Sequence, residues 1–462
     1  MLSPKGFARR WAVLIAGDAG CSALSTWLSV RLTAHPAFAL ESTQGFVTLA
    51  AMMAAVHLGA VYLQDLYRFD EPRGDSWVAA STVMVTVKLA LILGLLDTIM
   101  PATSVGRMFL VGYIASSGVI LVGWRLGANR FFLSRMHVRV MALGFNESAP
   151  LMIGEITRRH HLGYRFTGFA TLGDSARAAA GVSARIDAPI HRTGSLCDLA
   201  RRYRVDTLVV LDEVAEPGAM QELMRCRVRG TRILDFESFY ERIAGKLPVP
   251  YLRGSWLLFA PGFTGTQWRR ALKRTIDIAA AAALGIALAP VAALTALAVR
   301  IDSPGPALYS QDRMGLDGRV FRVYKFRSMR VDAERGAGAV WATADDPRVT
   351  RVGRVIRRLR FDELPQLFNV LRGDMSLVGP RPERPEMVEQ LDQEIPFYHL
   401  RHVVRPGLTG WAQICFPYGA SIEEAREKLC YDLYYIKNWS LFFELQIMLQ
   451  TFKVMLFGRG AR

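Results

Sequence analysis

The chain has 462 residues, of which 51% are apolar, 10% aromatic and 21% charged, and its 57 Lys and Arg exceed its 41 Asp and Glu to give a net charge of +16. A mean hydropathy of +0.18 is too apolar for an ordinary soluble enzyme and too polar for a chain that is membrane throughout, which excludes intrinsic disorder and a coiled-coil rod. The basic excess is spread along the chain with no Lys/Arg-rich tail and no DNA- or RNA-reading motif, so it suits anionic lipid headgroups and phosphate substrates and gives no support to nucleic acid as a partner.

Four apolar stretches fill the N-terminal domain, residues 1–126: 11–32, 46–66, 77–100 and 108–126. Each is long enough for a helix to cross a hydrocarbon core of about 30 Å. Trp11, Trp27, Trp77 and Trp124 lie near the expected ends, where interface anchors sit. Lys5, Arg9 and Arg10 precede the first stretch, Arg68 and Arg73 follow the second, and Arg125, Arg130, Arg135 and Arg139 follow the fourth, whereas the opposite loops hold only Arg31 and Arg107. The positive-inside rule then puts both ends of this bundle in the cytoplasm. No small-residue cleavage site follows the first stretch, so it is not read as a signal peptide. Lys88, inside the third, is expected to face the bundle interior or to snorkel.

The second domain, residues 127–260, carries strand signals at 138–143, 165–170 and 206–211 and helix signals at 149–160 and 196–204. This alternation predicts a doubly wound parallel sheet. The first strand–helix turn runs from Gly144 to Ala149, with Asn146 where a dinucleotide fingerprint needs glycine for close approach of a pyrophosphate. A Rossmann-like domain without nicotinamide chemistry is therefore expected, serving as a regulatory module or as the surface of a homodimer. The five cysteines, Cys21, Cys197, Cys226, Cys415 and Cys430, form no CxxC pair and read as small buried apolar residues.

A linker rich in Pro and Gly leads to the third domain, residues 261–462. It opens with a fifth apolar stretch, 276–299, flanked by Arg269, Arg270, Lys273 and Arg274 on one side and Arg300 on the other. Basic flanks at both ends give it no direction across a membrane. Pro290, in its middle, removes an N–H and clashes with the preceding turn. We read residues 272–300 as a re-entrant helix that bends at Ala289-Pro290 and returns to the side it came from; a plain fifth span is the alternative.

Beyond Arg300 the basic residues come in short blocks with Gly, Pro and single acids. Lys325, Arg327, Arg348, Arg351, Arg354 and Arg381 offer forked or point-charge donors to phosphate oxygens. Among them stands the pair Asp362-Glu363, at the start of a helix-compatible run with Pro365 in its first turn. Adjacent carboxylates among cations suit one Mg²⁺ and one nucleophile, and they equally suit a helix-start dyad paired with arginines. His399 and His402 have no evident third metal ligand, and Trp341 beside Asp345-Asp346 is read as loop packing or a surface for a base to stack on. Residues 431–457 mix aromatics and Leu with Lys437, Glu444 and Lys453, a pattern of an interfacial amphipathic helix or, alternatively, a packed core helix.

Four blocks in order, Lys325-Phe-Arg-Ser-Met329, Asp362-Glu-Leu-Pro-Gln366, Gly379-Pro-Arg-Pro-Glu383 and Arg405-Pro-Gly-Leu-Thr-Gly-Trp-Ala-Gln413, resemble the bacterial sugar transferase family, the monotopic phosphoglycosyl transferases. The whole chain resembles the large subgroup of that family, which includes undecaprenyl-phosphate glucose phosphotransferases of exopolysaccharide synthesis. The resemblance implies a multi-pass protein of the bacterial inner membrane with its catalytic domain on the cytoplasmic face. It implies transfer of a hexose-1-phosphate, glucose first and galactose next, from a UDP-sugar to undecaprenyl phosphate with release of UMP. Asp362 would be the nucleophile, and Glu363 would hold Mg²⁺. Lys325, Arg327 and Arg381, with Arg348, Arg351 and Glu383, would bind substrate phosphates. Pro290 would set the re-entrant bend, although the family's Ser-Pro is Ala289-Pro290 here, and Lys273 and Arg274 would grip lipid headgroups. The rivals to this reading are a nucleotide-sugar-modifying enzyme built on the middle domain and a non-catalytic membrane scaffold.

Overall fold

The computed structural model describes residues 5–33, 43–64, 66–67, 75–99, 106–133, 137–159, 163–172, 189–211, 217–263, 267–330, 348–416 and 421–457. The chain divides into two compact units, residues 3–243 and 244–462. Arg68, Arg73, Arg135, Trp341, Asp345 and Asp346 lie outside the described residues.

The first unit begins with helices α1 (Lys5–Thr33), α2 (Thr43–Leu63), α3 (Asp75–Ile99) and α4 (Arg107–Gly127), at the four apolar stretches. Their shared core is Leu14, Leu49, Met53, Val61, Leu89, Phe109, Tyr113 and Leu121. Trp27 has the exposed setting of an interface anchor, with the Arg31 guanidinium 5.6 Å from its ring. Trp124 does not: its ring fills the space a Cβ on Gly17 would need, 1.9 Å from Cζ2, so it packs α4 against α1. Arg125, expected in a cytoplasmic flank, is buried and ion-paired with Asp18, which also accepts a 2.6 Å hydrogen bond from Tyr67. Such a pair persists in an apolar setting because each charge is fully hydrogen-bonded. Lys88 faces inward and donates to Gln64 Oε1 (2.5 Å) and to the Leu63 carbonyl at the C-terminus of α2 (3.3 Å).

The same unit continues with β1 (Val138–Leu143), α5 (Ala149–Arg158), β2 (Tyr164–Leu172), β3 (Ile190–Thr193), α6 (Leu196–Arg202), β4 (Thr207–Val210), α7 (Pro217–Val228), β5 (Arg232–Asp235) and α8 (Phe236–Ala244). All strands are parallel, in the order β3-β2-β1-β4-β5. The three central strands are rich in apolar residues and lie where the pattern predicts. The edge strands are four residues each and polar, Ile-His-Arg-Thr and Arg-Ile-Leu-Asp, which is why periodicity passes over them. The order reverses between β1 and β4, where dinucleotide folds hold their pyrophosphate. Here the Asn146 amide crosses that point to donate to the Leu211 carbonyl (2.6 Å), and its Oδ1 accepts from Ser148 N (3.0 Å). Cys197 and Cys226 lie side by side as free thiols, Sγ to Sγ 3.0 Å.

The second unit contains α9 (Gly254–Phe259), α10 (Gln267–Asp302), the antiparallel hairpin β6 (Leu308–Met314) and β7 (Val320–Phe326), α11 (Arg351–Arg358), α12 (Gln366–Arg372), β8 (Ser376–Val378), α13 (Pro385–Glu394), β9 (Gly407–Thr409) parallel to β8, α14 (Trp411–Cys415), α15 (Ile422–Lys437) and α16 (Leu441–Phe457). Among the described residues five helices, α1–α4 and α10, are long and apolar enough to cross a membrane.

Helix α10 spans 36 residues with Pro290 inside it. Both of its ends pack on one α/β body. At the N-terminal end Arg274 donates to the Val370 and Leu371 carbonyls (2.6 and 2.7 Å), Asp277 accepts from Leu377 N (3.2 Å), and Ala281 enters the core beside Val370 and Leu377. At the C-terminal end Val299 packs with Phe326 and Ile356, and Asp302 accepts from Val352 N (3.1 Å). Leu284, Ile286 and Leu294, between the two ends, are exposed.

The segment 431–457 divides in two at Asn438-Trp439-Ser440. Residues 432–437 of α15 are buried core, while α16 buries Phe443, Glu444 and Ile447 and exposes Phe442, Leu445, Leu449 and Phe452. The packed reading therefore holds for the first part, whereas α16 carries apolar side chains on both its buried and its exposed sides.

Candidate active site

Asp362 and Glu363 lie on a 3₁₀ turn, Phe361–Glu363, between α11 and α12. Arg360 starts the turn in the left-handed region (φ 61°, ψ 17°), and Pro365 ends it at the N-cap of α12, so the chain reverses sharply and both carboxyl groups are buried. A non-glycine residue held there costs about 1 kcal/mol or more and is tolerated where surrounding contacts fix it.

Three cations from three segments converge on Glu363 Oε1: Lys325 Nζ of β7 (3.5 Å), Arg381 Nη2 of the loop after β8 (3.3 Å) and Arg360 Nη1 (3.7 Å). Burial pushes the Glu363 carboxyl up, but the charges of Lys325, Arg381 and Arg360 outweigh it and hold the pKa at about 2. Asp362 is opposite in character. Burial, then the Glu363 charge, raises its pKa above the ordinary value, and Lys325, Arg360 and Arg357 only partly offset them. Its Oδ1 is buried and has no hydrogen-bond partner among the described residues. Two adjacent carboxylates with pKa values driven apart, one with a free oxygen, are what separate roles require.

Arg381 is held from behind. Its carbonyl accepts from Arg401 (2.9 Å), itself buried and paired with Asp432 (2.9 Å) and Tyr398 Oη (2.5 Å). The loop bearing Arg381 is shaped by a close backbone crossing: a Cβ on Gly407 would lie 2.1 Å from Gly379 N, and one on Gly379 would lie 2.4 Å from the Arg405 carbonyl. Gly407→Ala must separate these segments, and a loss of about 1–3 kcal/mol in denaturant unfolding is expected, as for other overpacked sites.

Of the residues singled out in the sequence, Asp362, Glu363, Lys325 and Arg381 come together. Glu383 is nearby through Arg313, which approaches its carboxylate (3.8 Å) and donates to Pro382 O (3.2 Å). Arg327 is engaged by backbone at the end of α10. Its guanidinium is buried and donates to the carbonyls of Ser303 (2.7 Å) and Pro304 (2.8 Å), satisfying acceptors left over at the end of α10. Arg351 is exposed at the first position of α11, and the Arg348 carbonyl accepts a hydrogen bond from Arg330 N. Lys273 and Arg274 both engage protein groups: Lys273 bridges Asp277 (3.1 Å) and Glu444 (2.6 Å), and Arg274 caps the carbonyls of α12. His399 pairs with Asp392 at the surface (3.5 Å). Sequence reasoning missed Arg357 and Arg360, although they immediately precede the dyad. It also missed the Arg401–Asp432 support, whose 31-residue separation carries no local signal.

Mg²⁺ takes one or two carboxylates and completes its shell with water and substrate phosphates. An anionic Glu363 beside the unpartnered Asp362 oxygen fits that habit, while among the described residues no group of three or more His, Cys, Asp and Glu is gathered for an all-protein site.

The buried carboxylate dyad ringed by cations lies on an α/β body that carries a long apolar helix, the mark of a membrane-associated protein. Residues 268–458 match the family model described as bacterial sugar transferase. Over 243 residues the chain is 44% identical to an Aeromonas hydrophila UDP-N-acetylgalactosamine-undecaprenyl-phosphate N-acetylgalactosaminephosphotransferase, covering 52% of this chain and 56% of that one. It is 46% identical over 184 residues to the Escherichia coli (strain K12) UDP-glucose:undecaprenyl-phosphate glucose-1-phosphate transferase, 39% of each chain. It is 42% identical over 185 residues to an exopolysaccharide production protein of Rhizobium leguminosarum bv. phaseoli, covering 39% of this chain and 92% of that one. The chain thus spans about half the length, or less, of the first two relatives. It belongs to the bacterial sugar transferase family.

Proposed function

We propose that the protein is a phosphoglycosyl transferase that moves a hexose-1-phosphate, glucose-1-phosphate first, from a UDP-sugar to undecaprenyl phosphate at the cytoplasmic face of the bacterial inner membrane, as the first membrane step of exopolysaccharide synthesis. The observation that carries this is the free, buried oxygen of Asp362 beside a Glu363 clamped by Lys325, Arg381 and Arg360. The ionised Asp362 oxygen attacks the sugar-bearing phosphorus, forming an Asp–O–P bond and breaking the bond to the bridging oxygen, which leaves with UMP. A phosphate oxygen of undecaprenyl phosphate then attacks the same phosphorus and releases the Asp362 carboxylate, which balances the cycle. Splitting one difficult transfer into two predicts ping-pong kinetics. Lys325 and Arg381 bind and orient the phosphates against fixed charge. Mg²⁺, held by Glu363, would neutralise the pyrophosphate.

The lipid substrate keeps its phosphate at the headgroup plane and its tail in hydrocarbon, so the site must stand at membrane depth. A re-entrant α10, bent at Pro290, meets that need. What supports it is that residues 274–281 and 299–302 pack on one body while the apolar residues between them are exposed. Both ends held by one body favour a return to the same side over a crossing. Membrane lipids are thus partners, and a homodimer through the middle domain is proposed with them.

The test is UMP release by the full chain with undecaprenyl phosphate and Mg²⁺ across a panel of UDP-sugars. Release with UDP-glucose or a related UDP-hexose is expected, and no release with any donor contradicts the reading. Because Asp362 must be ionised and its pKa is raised, the acid limb of the rate profile should lie above the ordinary carboxyl value of 3.8, with activity lost as pH falls through it. A limb at or below 3.8 counts against the assignment.

A further inference from the structure

The segment 254–263, just before α10, has a feature that neither the active site nor the core explains. It is firmly rooted. Trp256 is buried, with Lys437 Nζ 4.7 Å from its ring centre, and Leu257 packs on the core. Gly262 (φ +135°) sits against Lys437, where a Cβ would meet Cγ at 2.6 Å. Yet Leu258 and Phe259, between these two anchor points, are 76% and 81% exposed, and Trp268 in the first turn of α10 is 66% exposed. Rigid backbone presenting large apolar side chains outward marks an interaction site.

Three observations name the occupant. The first is charge: Arg269 and Arg270 follow Trp268 and are exposed, whereas Lys273 and Arg274 are committed to protein groups, so the cations free to meet anions are the earlier pair. The second is continuity. Lys437, which holds this segment, lies shortly before α16, whose Phe442, Leu445, Leu449 and Phe452 are exposed, and Lys273 ties α10 to α16 through Glu444. The outward apolar residues of α9, α10 and α16 thus belong to one braced assembly. The third is residue type, because a Trp beside Arg residues is the composition of a membrane–water boundary.

We propose that Leu258, Phe259 and Trp268 form an interfacial wedge that inserts into the acyl layer of a bilayer, with Arg269 and Arg270 meeting anionic headgroups. It is a second membrane contact, distinct from the α10 midsection, and it fixes the depth at which α10 enters. The proposal rests on the reading of the catalytic body as membrane-bound.

The test uses the full chain in vesicles of phosphatidylethanolamine and phosphatidylglycerol, with an environment-sensitive fluorophore on Phe259→Cys. Ile286→Cys in the middle of α10 and Val228→Cys on α7 serve as references, and signal from the labelled parent is subtracted. The expected result is blue-shifted emission at 259, quenched by lipid-borne doxyl groups and shielded from iodide, with the shift reduced by Arg269→Glu/Arg270→Glu or by replacing phosphatidylglycerol with phosphatidylcholine. If 286 is quenched by lipid while 259 behaves as 228 does, the wedge is overturned and the re-entrant helix stands. Iodide access at both 259 and 286 overturns the membrane reading and the wedge with it. A shift at 259 that follows protein density, not lipid composition, means a second copy covers the surface and also overturns the proposal.

Discussion

Asp362→Asn is expected to reduce UMP release by several orders of magnitude while leaving the fold intact, since the change is isosteric and removes a charge from a buried site. Loss of a covalent nucleophile is far more damaging than loss of one binding contact. The surrounding cations refine this expectation. Lys325→Ala and Arg381→Ala each remove one arm of the clamp on Glu363 but leave the attacking oxygen in place, so each should cost less than Asp362→Asn. The check is a UMP-release assay on purified variants with matched unfolding curves. Near-normal turnover by Asp362→Asn, or a larger loss from Lys325→Ala, would remove Asp362 from the role given to it.

Lys273→Met is expected to be the most destabilising single change in the C-terminal unit. Lys273 is the cation between two buried carboxylates, Asp277 of α10 and Glu444 of α16. Tyr435 Oη and Trp439 Nε1 also donate to Glu444, both at 2.8 Å, so the network is well satisfied only while the ammonium is present. Removing one partner of a buried pair leaves an uncompensated charge and costs about 3–5 kcal/mol. Denaturant unfolding of the detergent-solubilised protein measures this. A second change that neutralises the orphan, Lys273→Met with Glu444→Gln, should recover part of the loss. A single-variant cost under about 1 kcal/mol, the range of exposed pairs, would mean that the bridge is not buried in solution.

What the sequence made legible follows physical lines. The four helices of the N-terminal bundle and the central strands of the middle sheet are predominantly apolar signals, and they fall within a few residues of where the sequence pattern puts them. Short polar edge strands such as Ile190–Thr193 look like loop, because their stability comes from a neighbouring strand and not from their own side chains. The acidic pair and two of its cations, Lys325 and Arg381, were visible as charged blocks separated by Pro and Gly. Which arginine faces a substrate and which ties down a helix end was not, since Arg327 sits two residues from Lys325 and points its guanidinium at Ser303 and Pro304. Lys273 shows the same ambiguity: a basic pair before an apolar helix has one composition whether it meets lipid or a buried glutamate 171 residues downstream. Side-chain direction is decided by tertiary packing, and composition does not carry it.

The central claim is a covalent bond between Asp362 and a sugar-bearing phosphoryl group. Its most direct measurement is mass spectrometry of the peptide spanning residues 359–368 after the full chain turns over UDP-sugar in the absence of undecaprenyl phosphate and is quenched in acid. The account predicts a hexose-phosphate adduct on Asp362 that disappears when undecaprenyl phosphate is added before quenching. An unmodified peptide under conditions where UMP and lipid-linked product accumulate would contradict it.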